Sequence, residues 1–63
     1  MEDYNKDYDL NGITIPAEII DKVIRSESGR IVEICLKWYE GRAFCIQHNI
    51  DYISSCGWVC IRI

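Results

Sequence analysis

Four cysteines and a single histidine, Cys35, Cys45, Cys56, Cys60 and His48, are the residues of this 63-residue chain best suited to chemistry. Thiolates and imidazoles bind zinc, and a cysteine beside a histidine can act as a nucleophile pair. The spacing argues against both. Three residues separate Cys56 from Cys60, within the range of a zinc knuckle. Cys60, however, falls in an alternating stretch that reads as a strand, and neither Cys35 nor Cys45 has a knuckle loop. A buried free cysteine behaves as a small hydrophobe. The thiols are therefore expected to be reduced and packed, with no metal and no other cofactor. His48 is expected on the strand face opposite Cys45, which separates that pair. The chain offers no Ser–His–Asp set, no phosphate-cradling glycine loop and no metal-ligand pair at helical spacing. A chain this small seldom forms a substrate pocket. The expectation is a protein that is not an enzyme.

Charge is the next feature that could select a partner. The net charge is −3, but residues 1–21 carry six acids (Glu2, Asp3, Asp7, Asp9, Glu18, Asp21) against Lys6 alone. The remainder of the chain has a slight basic excess. Such a concentrated negative field repels nucleic-acid phosphates and attracts a basic protein surface. Tyr4 and Tyr8 stand among these acids, and tyrosine supplies contact area at low entropic cost. Residues 1–12 are read as an acidic, flexible N-terminal segment and residues 13–63 as one small domain.

The elements that must position these groups begin with residues 30–48. Val32, Ile34, Leu36 and Trp38 alternate with Glu33, Cys35, Lys37 and Tyr39, which is the period of a strand. Tyr39-Glu40-Gly41 reads as a three-residue hairpin loop with Gly41 in the left-handed region. That register puts Cys35 opposite Cys45 and Leu36 opposite Phe44. Upstream, Ile13–Ile15 is a short strand and Pro16 opens a helix. Ile19, Ile20, Val23 and Ile24 form its apolar stripe, and Gly29 its C-terminal cap. Residues 49–57 are a connector, and Trp58–Ile63 alternates again as a last strand. The predicted fold is α+β, with one amphipathic helix on a three- to four-stranded antiparallel sheet in β-α-β-β-β order.

One helix covers only one face of such a sheet. The other would show Ile31, Cys35, Tyr39, Ala43, Cys45, Trp58 and Cys60 among Glu33, Lys37, Gln47 and Arg62. A patch so apolar marks an interface. Tyr39, Trp58 and Ile31 are its candidate contacts, with a protein partner or with a second copy in a homodimer.

Residues 12–24, GITIPAEIIDKVI, resemble the opening of the AbrB/MazE-type swapped-hairpin transcription factors through Ile13, Ile15, Pro16, Glu18 and Ile19. That resemblance implies a dimeric DNA-binding regulator or antitoxin. Its family carries basic residues just before the motif, where this chain has Asp7, Asp9 and Asn11. No binding residue is carried over, and direct nucleic-acid binding is not expected. The N-terminus has no basic and apolar segments of the signal-peptide kind, and no apolar run is long enough for a membrane span. A cytoplasmic location is the expectation. The leading function is a small regulator or inhibitor, of the kind encoded by phage or other mobile elements, that binds a larger protein. Its acidic residues would mimic nucleic-acid phosphates and occupy a basic site on a nucleic-acid-binding protein.

Overall fold

The computed structural model describes residues 4–63. Strands β1 (Tyr8–Leu10) and β2 (Ile13–Ile15) form a two-stranded antiparallel hairpin. A 3-10 turn, Ala17–Ile19, leads into β3 (Ile20–Arg25). Then come β4 (Ile31–Lys37), helix α1 (Trp38–Gln47), β5 (Ile53–Ser55) and β6 (Trp58–Arg62). The main sheet has four strands in the order β3-β4-β6-β5, antiparallel throughout. Helix α1 packs on β4 and β6. The α+β class and the single helix on a four-stranded antiparallel sheet agree with the sequence pattern. The element order does not: helix and strand are exchanged over residues 16–48, and β1 and β5 are further strands, β5 lying within residues 49–57 that the sequence pattern gives as a connector.

The first correction concerns residues 16–28. Pro16 opens only one 3-10 turn, after which Ile20–Arg25 runs as a strand beside β4. The apolar spacing that suggested a helix has another cause. The register steps from Ile20↔Leu36 to Lys22↔Cys35, leaving Asp21 as an extra residue. This bulge puts Ile20 and Val23, three positions apart, both into the core. Ile20, Val23 and Ile24 are β-branched and suit a pleated surface better than a short helix. Gly29 lies in the β3–β4 turn rather than at a helix end, where its N–H bonds the Ser26 carbonyl at 3.0 Å.

The second correction concerns residues 38–48. Strand β4 ends at Lys37, and the chain turns directly into α1. Gly41 is not a left-handed loop residue but a buried helical one. A Cβ on it would lie 2.4 Å from Leu36 Cβ, so glycine lets the helix approach the sheet. Gly41, Phe44, Cys45 and His48 recur at helical spacing, and of these Gly41 and Cys45 are fully buried. The helix stops at Asn49, which takes a left-handed φ of 55°. Ile50 N–H bonds the Cys45 carbonyl at 2.8 Å and Asn49 N–H that of Ile46 at 3.3 Å, the pair of bonds of a Schellman cap.

The core consists of Ile15, Ile20, Val23, Ile34, Leu36, Cys45, Val59 and Ile61. Ile34 and Leu36 from β4, with Val59 and Ile61 from β6, alternate inward as the sequence pattern predicts. The small hairpin turns through Asn11 and Gly12, both at positive φ (52° and 89°), the geometry that a two-residue hairpin loop needs. Tyr4, Tyr8 and Leu10, assigned from sequence to the acidic N-terminal segment, pack on the core. No helix among the described residues is long and apolar enough to cross a membrane.

The close seat of α1 has a direct test. In an open helix, Gly→Ala stabilises by about 1 kcal/mol. Gly41→Ala is expected to destabilise instead, by about 1–3 kcal/mol, because the added methyl overpacks Leu36. Urea denaturation of the variant measures the sign.

Candidate functional site

The face of the main sheet turned away from α1 is set by strand register. Lys22 and Ile24 from β3, Glu33, Cys35 and Lys37 from β4, Trp58, Cys60 and Arg62 from β6, and Ile53 and Ser55 from β5 share it. Cys35 lies directly across from Cys60, and Glu33 across from Arg62. The sequence pattern had placed Cys45 opposite Cys35. With 38–47 helical, Cys45 instead lies in the core beneath α1.

The Cys35 and Cys60 sulfurs are 2.9 Å apart. Both residues are buried although they face away from the helix, and Glu33 is half-buried beside them. One ligand atom from each of Glu33, Cys35 and Cys60 falls within 4.8 Å of the others. Burial pushes the Cys60 thiol up to about 12, and the neighbouring Cys35 and the Glu33 carboxylate add to the shift. Burial also raises the Cys45 thiol. Cys56 is exposed in the β5–β6 turn, and all four cysteines are free thiols. Beside the cluster, Asp51, Tyr52, Ile53, Cys60 and Arg62 line a pocket of about 230 Å³.

A second group on this face forms at the β3 bulge. The extra residue, Asp21, accepts a hydrogen bond from the Trp58 indole N–H. The Lys22 ammonium sits 2.9 Å from the centre of the same ring, a cation–π contact. Trp58 is thus held from both sides and is only partly exposed.

The predicted acidic set is divided by the fold. Asp7 accepts a 2.7 Å hydrogen bond from the Ala17 N–H, which ties the first hairpin to the 3-10 turn and sets Asp7 near Glu18. Asp9, on β1, and Glu18 are exposed. Asp21 stands apart on the main sheet and is engaged by Trp58. Glu2 and Asp3 lie outside the described residues. The predicted apolar contacts do not form one patch either. Ile31 packs against the core, Trp58 is on the open sheet face, and Tyr39 is on α1.

Helix α1 is apolar on both sides. Tyr39 is 81% exposed and Ile46 57%, and Ala43 is exposed between them. These three occupy positions i, i+4 and i+7, one outward stripe. Trp38, 38% exposed, flanks it. His48 closes the helix and packs on Phe44 at a tilt of 43°, with ring centres 4.4 Å apart. Of this stripe only Tyr39 was singled out from sequence. The signal for the rest was the helical spacing of Tyr39, Ala43 and Ile46, hidden by reading residues 42–48 as a strand. Glu33 shares the thiol face from sequence by its i, i+2 spacing to Cys35, but its grouping with both thiols needs the β4–β6 register that sets Cys35 across from Cys60.

No protein-family model matches the chain, and no curated protein and no solved structure matches it.

The thiol environments give distinct reactivities. At about pH 8, iodoacetamide is expected to modify Cys56 first and to spare Cys35, Cys45 and Cys60 until the protein unfolds. The folded-state value of Cys60 lies above its ordinary 9.0, so folding favours the neutral thiol. The associated stability is full below pH 9 and lost as pH rises from there through about 12. Denaturation across that window should show a smaller alkaline loss for Cys60→Ala than for the unmodified chain.

Proposed function

We propose that the chain is a small non-catalytic protein-interaction module, a regulator or inhibitor that acts by binding a larger protein. The observation that carries this reading is the outward stripe Tyr39–Ala43–Ile46 on α1, flanked by Trp38. A helix already seated on its sheet gains nothing from a second apolar face unless something covers it. The stripe has the i, i+4, i+7 spacing of a helix that docks into an apolar groove. Burying such large side chains is worth about 1.5–3 kcal/mol each. Seated on a packed sheet, they need little ordering on binding.

The acids enter as the long-range part of the same contact. Asp9 and Glu18 are exposed, and Asp7 is fixed near Glu18 by its bond to Ala17. Six acids against one base over residues 1–21 would steer the module toward a basic surface, such as the nucleic-acid site of a nucleic-acid-binding protein. Free thiols at Cys35, Cys45, Cys56 and Cys60 accord with a reducing, cytoplasmic setting. Self-association through α1 is the homodimeric form of the same contact.

The test compares the tagged full chain with Tyr39→Ala and Ile46→Ala in pull-downs from nuclease-treated lysate, alongside sedimentation of each. The unmodified chain is expected to retain one dominant protein partner, released by salt, or to form a dimer. Each substitution should weaken that association at least tenfold, about 1.4 kcal/mol. Unchanged association in both folded variants contradicts the reading. So does retention of duplex DNA, and no protein, in a parallel pull-down from untreated lysate, which points to the DNA-binding regulator implied by residues 12–24.

A further inference from the structure

The Glu33–Cys35–Cys60 cluster belongs to the sheet face opposite the proposed contact helix and is independent of it. Its three donors come from two neighbouring strands. Glu33 and Cys35 are two residues apart on β4, so they project to one face. Cys60 is the direct cross-strand partner of Cys35 on β6. This arrangement converges three side chains on a point above the sheet, and their ligand atoms lie within 4.8 Å of one another. The geometry points to a mononuclear site for a thiophilic divalent cation, zinc foremost, held by the two cysteine sulfurs and the Glu33 carboxylate.

The donor set is chemically apt, since two soft sulfurs and one carboxylate oxygen are all ligands that zinc accepts. The two sulfurs already stand as neighbours, 2.9 Å apart in hydrogen-bond contact. An ion with tetrahedral bonds of ~2.3 Å to sulfur would hold them about 3.8 Å apart, a displacement that side-chain rotation supplies. A Cys35–Cys60 disulfide is the competing use of the two thiols, and it would not engage the Glu33 carboxylate. The carboxylate in the cluster distinguishes the two.

Charge balances as well. Binding replaces two S–H protons by one dication and releases both protons. Two thiolates, one carboxylate and the dication leave one net negative charge. Lys22 is the cross-strand partner of Cys35 and Arg62 that of Glu33, so two cations share the face with the site. Three protein ligands leave a fourth position for water. The pocket of about 230 Å³ that Cys60, Arg62 and Asp51 help to line adjoins the cluster.

The experiment is an anaerobic titration of the reduced full chain with Co²⁺, followed by Zn²⁺. One equivalent of Co²⁺ is expected to give a thiolate-to-metal charge-transfer band and strong tetrahedral d–d bands, both bleached by Zn²⁺. Cys56→Ser should keep the spectrum and Cys60→Ser should lose it. Glu33→Gln should keep the two-thiolate band while weakening affinity tenfold or more. Because Cys60→Ser opens a buried position, its fold is checked by circular dichroism. Glu33→Gln, at a half-buried position, tests the site even if Cys60→Ser unfolds. Absence of the band in the folded unmodified chain overturns the proposal. Equal loss in Cys56→Ser, or unchanged affinity in Glu33→Gln, overturns it too. So does a Cys35–Cys60 disulfide that forms in air despite equimolar Zn²⁺.

Discussion

The contact on which the structure rests is the one between Gly41 and Leu36. A 63-residue chain buries only about 60% of the surface its unfolded form exposes, so it has little core to spare. One helix, with the small first hairpin, must seal the inner face of a four-stranded sheet. It does so because position 41 carries no side chain, and Leu36 Cβ fills the space that a methyl there would take. Ile34, Leu36, Cys45 and Val59 become fully inaccessible as a result. The Asn49–Ile50 cap then turns the chain back so that Ile50 also reaches the core. With the inner face closed by α1 and by Ile15, Tyr8 and Leu10 of the first hairpin, the outer sheet face and the outer helix face remain, and each has its own character.

The bulge at Asp21 is the second organising feature. It lets β3 offer Ile20 and Val23 to the core while pairing Lys22 with Cys35. The same extra residue reaches the Trp58 indole two strands away, and Lys22 covers the ring. The outer face is therefore built from cross-strand polar and thiol pairs, whereas the outer helix face exposes Tyr39, Ala43 and Ile46. The proposed metal site lies on the first and the proposed protein contact on the second.

Where sequence and structure agree, a local period matches the final environment. Ile34 and Leu36, then Val59 and Ile61, alternate because one side of each strand meets the core. Asn11-Gly12 is a tight turn wherever it occurs between short strands. Where they disagree, a local signal had two physical origins. Ile20 and Val23 have helical spacing, but a bulge produces the same spacing in a strand. Gly41 fits a hairpin loop, but a helix seated closely on a sheet also requires glycine. His48-Asn49-Ile50 held the stop signal that would have separated these cases. The shared face of Cys35 and Cys60 was legible from alternation alone. So was the place of Glu33 on that face, two residues from Cys35; the direct pairing of Cys35 with Cys60 was not, because it depends on strands more than twenty residues apart in sequence.

The account assigns different tasks to the two outer surfaces, and residue-resolved NMR tests that division most directly. One equivalent of Zn²⁺ added to the reduced, ¹⁵N-labelled chain should shift the amides of Glu33, Cys35, Cys60 and Arg62. The amides of Tyr39, Ala43 and Ile46 should stay in place and keep helical carbon shifts. Shifts centred on Cys56 or His48, or strand-like carbon shifts over residues 38–47, would contradict it.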